Sequence, residues 1–361
     1  CGGQQRLMPQ RSLDWRLQDF PLASLQPWLP EDFAWQGQLD GRLKVDLRER
    51  GPNGEITLDA GAGTLRIRQP EQEQWLDFPY DSLRLESSLR PQRVDSQLRF
   101  LSERLGELSL QARIDPRPQS KPISGEFRLS GFDLAVLLPF VPMAETLEGR
   151  LQGAGRLAGG LLAPQIDGQL RLQGGALSGS ALPVSLEALQ VQALIAGEQV
   201  QLSGNWRSGE QGSGQLNGQL NWAAGLSAEL TLQGQHLPVK VEPYAELEVE
   251  PDLRLQLREQ HLVVSGKVGV PRGLISVREL PPSTVKLSGD ARVVGREEPL
   301  AEQGLGIAMD VDVEVGQDRL AFSGFGLSAD LRGRVHIGDD LDDCSSDDDG
   351  SSSDGSNSDE D

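Results

Sequence analysis

Very little in this chain of 361 residues can do chemistry. It has three histidines, His236, His261 and His336, and none has a Cys or His neighbour at metal-ligand spacing. Its two cysteines, Cys1 and Cys344, stand at opposite ends, which excludes a disulfide framework. There is no Gly-x-Ser-x-Gly elbow and no Gly-Lys-Thr/Ser phosphate loop. Gly153-Ala-Gly155 continues as Arg-Leu-Ala-Gly-Gly, so dinucleotide spacing fails. No apolar run reaches the ~18 residues of a membrane-spanning helix. The most apolar stretch, Phe132 to Val141, is short and contains Pro139. Aromatics are only 5%, too few for stacking platforms or aromatic girdles. The residues point to no enzyme and require no cofactor or metal.

The net charge of -20 misleads about partners. Eleven acidic residues and no basic ones fall between Asp339 and Asp361, leaving 34 basic against 43 acidic residues elsewhere. That body has no basic patch for nucleic acid. The acidic segment, residues 339–361, has too few apolar groups to offset ordering entropy and is expected to be disordered. Asp347 to Gly350 resembles part of a calcium loop, but the full spacing and closing Glu are missing. Cys1-Gly2-Gly3 resembles the first residues of a mature lipoprotein; the alternative is a fragment of a longer chain.

What the chain does have is alternation. Leu39, Leu43, Val45 and Leu47 alternate with Asp40, Arg42, Lys44 and Asp46. The same pattern runs through Leu170 and Leu172, Leu220, Leu230 and Leu232, and Leu253, Leu255 and Leu257. It recurs at Met309, Val311, Val313 and Val315. Side chains in a strand alternate between faces, so each run makes one apolar and one polar face. Gly41, Gly168, Gly218 and Gly333 replace a side chain on the apolar side. A glycine inside a strand marks a bulge, a bend or a close approach, so these four are expected to let the sheet curl. Turns are expected at Gly51 to Gly54, at Pro91 to Arg93 and at Val270 to Gly273.

Phe20 to Pro30 aligns without a gap on Phe132 to Pro142, and a weaker third copy lies at His236 to Tyr244. This divides the chain into an irregular leader at residues 1–10, β-repeat units at 11–122, 123–226 and 227–338, and the tail at 339–361. Each unit is expected to open with a short helical turn, at Leu22 and Leu25 in the first and at Leu134, Leu137 and Leu138 in the second. Pro27 and Pro139 stop these turns. The predicted fold is all-β: an elongated, curved, repeat-built, mostly antiparallel sheet with a hydrophobic groove and one or two short helices. A smooth aliphatic lining without donors suits acyl chains.

The block from Val241 to Leu255, then Leu262 to Val277, then Glu279 to Ser283, resembles the late portion of the TamB family, within the AsmA-like superfamily. Gly324 to Ile337 is similar to a stretch further on in that family. The resemblance implies a periplasmic bridge, anchored in the inner membrane, that carries phospholipid in its groove. It also implies a role in outer-membrane protein assembly and a contact with the outer-membrane barrel TamA. The chain departs from the family pattern at both ends, where the anchor is absent and the acidic tail replaces the closing strands. The rival reading is a docking scaffold that offers sheet edges to outer-membrane strands.

Overall fold

The computed structural model describes residues 2–6, 11–48, 51–69, 74–141, 143–223, 225–277 and 306–338. The tail at 339–361, Cys1 and the stretch Glu279 to Ser283 lie outside them. Strands β1 (Gly2–Arg6) and β2 (Arg11–Pro21) lead to a 3-10 helix, η1 (Leu22–Trp28). Then follow β3 (Phe33–Arg48), β4 (Gly51–Asp59), β5 (Gly63–Arg68), β6 (Trp75–Tyr80), β7 (Ser82–Arg90), β8 (Arg93–Ser102), β9 (Gly106–Ile114) and β10 (Ile123–Asp133). A second 3-10 helix, η2 (Leu134–Phe140), precedes β11 (Thr146–Gly160), β12 (Ala163–Ser178), β13 (Leu186–Ala196), β14 (Gln199–Ser208) and β15 (Gly212–Asn221). The rest is β16 (Ser227–Gln235), β17 (Leu237–Val241), β18 (Ala245–Arg258), β19 (His261–Val277), β20 (Gly306–Gly324) and β21 (Leu327–Gly338).

All 21 strands belong to one sheet. Pairing follows the chain almost step by step, antiparallel from β1 through β4, then β7 through β16, then β18 and β19. There are two side branches. The β5–β6 hairpin pairs with the first half of β3, while β4 takes the second half. Strand β17 continues the line of β16 along β18 after a bulge at His236. The exception to antiparallel order is β19–β20, which is parallel. At about 4.8 Å per strand, the eighteen strands of the main line span on the order of 80 Å.

The two matched repeats form matching structures. Each 3-10 helix sits at the start of its unit, and η1 packs on β3 as η2 packs on β11. Asp133 caps η2 by accepting from the Ala135 N–H at 3.0 Å. Leu22 of η1 is fully buried, and a Cβ on Gly37 would come within 3.3 Å of its Cδ1. Gly37 (φ +141°) and Gly149 (φ +134°), at the same position in the two repeats, adopt a conformation that strains other residues.

Four expectations need correction. Residues 2–6 are not an irregular leader but a strand paired with β2. The third repeat opens without a helical turn; a tight turn at Val241 to Tyr244 joins β17 to β18 instead. Residues Gly51 to Gly54 pair with β3 as the start of β4. Val270 to Gly273 is not a turn but lies inside β19, where the register slips against both neighbours. Proline has no N–H for the ladder, and a bulge is where a strand tolerates it.

Candidate functional site

Directly opposed residues in paired strands face the same side. The registers can therefore be followed across the sheet. One row starts at Leu17 on β2 and runs through Gly41, Leu58, Leu85, Leu98, Leu110 and Phe127. It continues through Gly155, Gly168, Ile195, Val200, Leu220 and Ala228. It ends with Leu257, Leu262 and Ile307. Every member is aliphatic, glycine or the single Phe127. A parallel row contains Gly153, Leu170, Ala193, Leu202, Gly218, Leu230, Leu255 and Val264. A third contains Leu151, Leu172, Val191, Leu216, Leu232, Leu253 and Val311.

The residues singled out from the sequence thus come to one face. Leu39 lies opposite Phe20, Leu43 opposite Trp15 and Ile56, and Val45 opposite Leu13 and Gly54. Val313 lies between Val268 and Val335. No second sheet exists among the described residues to cover this face. Along the middle of the sheet its side chains are nonetheless half-buried or buried, and Ala228, which carries only a methyl group, is 8% exposed; toward the ends Trp15, Ile307 and Val335 are exposed.

The bending glycines behave unequally. A Cβ on Gly168 would lie 2.7 Å from the Ala154 carbonyl oxygen, and one on Gly218 would lie 2.1 Å from that of Glu229. Gly41 would meet the Leu58 side chain at 3.0 Å. Gly333 faces open space, so it marks no close approach.

The alternation hides an aromatic edge. Trp35 shares the parity of Leu39, and its Nε1 donates to the Tyr80 hydroxyl at 2.9 Å. Burial pushes the Tyr80 phenol above its ordinary value. Tyr80 and Phe100 have centroids 5.7 Å apart, and Phe78 of β6 stacks on Phe140 of η2 at 6.4 Å. Gln69 also donates to the Pro139 carbonyl oxygen. The first unit's β5–β6 hairpin therefore meets the second unit's helix along one margin of the apolar face. Counting parity outward from Leu39 would have placed Trp35 here; the hairpin contact has no local signal. Elsewhere on this face, aromatics lie over glycines directly opposite: Tyr80 on Gly63, Phe127 on Gly155 and Trp206 on Gly214. Flattened this way, the rings fill the space that a missing side chain leaves.

The other face is mostly polar, with Leu194 and Val263 among its apolar exceptions. Gln215 donates to Gln233 at 2.8 Å and Gln233 to Asp252 at 3.1 Å, forming amide ladders across strands. A cleft of about 970 Å³ lies between its side chains, bordered by Glu55, Glu86, Asp95, Arg113, Glu126 and Asp167. Hollows were expected on the apolar face. A twisted sheet is saddle-shaped, and its polar face too is concave along one diagonal.

One charged cluster stands out. His236 at the β16–β17 bulge lies 2.7 Å from Glu248 and 3.5 Å from Glu250, and Arg272 of β19 lies 2.6 Å from Glu248. His236, Glu248 and Glu250 could in principle hold a metal ion. Arg272 engages Glu248 through both Nε and a terminal nitrogen, so the group is better described as an ion-paired staple across three strands. The hydrogen bond to Glu248 raises the His236 pKa above its ordinary 6.5. The same bond, helped by Arg272, lowers that of Glu248 below 4.5. A raised histidine pKa stabilises the fold below about 6.5 and is lost as pH rises through the folded value; a lowered carboxylate pKa is lost only as pH falls below about 4.5. His236→Gln should therefore lower the melting temperature more at pH 6 than at pH 8. Equal losses at both pH values would show that the staple does not titrate.

Comparison with known proteins bears on the whole face. The family model for the TamB N-terminal domain matches residues 3–172, and that for the TamB C-terminal domain matches residues 201–345. Translocation and assembly module subunit TamB from Haemophilus influenzae is 20% identical over 236 residues. The match covers 62% of this chain and 18% of that protein. No solved structure matches.

Proposed function

The chain belongs to the TamB family, and from that premise we propose that it is a non-catalytic bridge segment whose apolar face carries the acyl chains of phospholipids across the cell envelope. The observation that carries this reading is the row from Leu17 to Ile307, which no polar side chain interrupts. Such a surface offers area without directional contacts, which is what an acyl chain needs in order to bind and still slide. The translocation and assembly module is the setting that the family suggests, with the periplasm as the compartment and outer-membrane protein assembly as the companion role. No helix among the described residues is long and apolar enough to cross a membrane.

A second reading rests on β21, whose residues are all exposed and which pairs, among the described residues, only with β20. That free edge can accept an added strand, from an outer-membrane client or from a TamA-like barrel. One cross-linking experiment separates the two. A photoreactive residue at Leu230 should capture phospholipid, detected by mass spectrometry, in a chain purified without detergent. Capture of lipid at Leu230 no greater than at Gln219 on the polar face overturns the lipid path. Protein cross-links confined to Ser328 or Asp330 would then favour the edge.

A further inference from the structure

We propose that Trp206 and Ser208 form a hydrogen-bonding station on the apolar face, where the ester carbonyl oxygens of a carried diacyl lipid are held. The inference rests on the lipid-path reading and adds the place where that path recognises something polar.

Both residues lie on β14 at the parity of Val200 and Leu202, so both belong to the apolar face. Trp206 is 8% exposed and Ser208 fully buried. The indole Nε1 and the Ser208 Oγ are buried, and neither has a hydrogen-bond partner. Buried polar groups are almost always paired, and an unpaired one is costly. Phe at 206 and Ala at 208 would suit the aliphatic surroundings without that penalty. Another indole on this face, that of Trp35, is satisfied by Tyr80.

Geometry says how a ligand reaches the pair. The Trp206 ring lies flat on Gly214, where a Cβ would come within 2.2 Å of its Cζ2 and 2.8 Å of its Nε1. No hydrogen bond holds the ring down. Lifting it frees an indole N–H, a donor only, beside a hydroxyl that can also donate. The missing partner is therefore an acceptor, and it must arrive along an aliphatic surface. The residues opposed to this stretch on the β15 side are Gly212, Ser213 and Gly214, all neutral; on the β13 side Glu187 opposes Arg207, whose parity puts the pair on the polar face. A charged phosphate would be left uncompensated there, so the neutral ester carbonyl is the better match.

The test compares two phosphatidylcholines with the same chains and headgroup, one ester-linked and one ether-linked, loaded onto the full chain from vesicles. The wild type should retain the ester lipid about five- to tenfold more than the ether lipid, the size of one or two net hydrogen bonds. Trp206→Phe with Ser208→Ala should bring the ratio to about one without reducing ether-lipid retention, and the lipid-free variant should melt no lower than wild type. Equal retention of both lipids by the wild type overturns the station, leaves the lipid path standing and assigns the two groups to an enclosed water. Retention of neither lipid overturns both.

Discussion

A chain carrying Leu170→Arg, Leu230→Arg and Leu255→Arg should lose at least about tenfold of its phospholipid retention while keeping its strand content. The three positions lie in one row, on β12, β16 and β18, with Ala193, Leu202 and Gly218 between them. An arginine there sets a guanidinium against a surface with no partner for it, and tenfold corresponds to about 1.4 kcal/mol. A single arginine can turn its head to water along its own aliphatic stem, which is why three are needed. The control is the opposite face: Gln201→Arg, Gln219→Arg and Gln256→Arg should change retention less than twofold. Retention is read as bound lipid per chain, alongside the circular dichroism of both triple variants. If the apolar triple binds as much lipid as wild type, the row is not a path. Should that triple unfold, Leu230→Arg alone supplies the comparison with Gln219→Arg.

The second large effect concerns the close approach of strands. Gly218→Val should destabilise the sheet by about 1–3 kcal/mol, the usual effect of overpacking. Its new Cβ would press on the Glu229 carbonyl oxygen and the Leu230 Cα, both backbone atoms, so β15 and β16 would have to separate. Gly333→Val has nothing to collide with and should stay within about 0.5 kcal/mol of wild type. Denaturant midpoints measure both. A neutral Gly218→Val would show that the β15–β16 register is looser than described, and a damaging Gly333→Val would mean that β21 is covered.

These outcomes mark what could be read from the chain. Alternation at Leu39 to Val45 and at Leu253 to Leu257 reports the local pleat, and the pleat survives into the sheet. The repeat from Phe20 to Pro30 and Phe132 to Pro142 located both 3-10 helices, because Leu spacing is a local signal; Pro27 and Pro139, expected to stop the turns, lie inside the helices one residue before their ends. What stayed illegible depends on partners far along the chain. Pro271 and Gly273 have turn chemistry, but two long neighbouring strands hold them extended in a bulge. His236 meets Glu248 and Arg272 only after the β16–β17 bulge and the β18–β19 slip fix which residues stand side by side. Trp206 reads as one more tryptophan until the register sets Gly214 opposite it.

Nearly every strand of the main line pairs with the strand just before it and the one just after. Length is therefore independent of everything else in the structure. Inserting one more hairpin between any two neighbours would extend the span by about 10 Å and leave the remaining registers unchanged. Under the bridge reading proposed above, such a sheet would work as a ruler, its span set by duplicating or deleting hairpins.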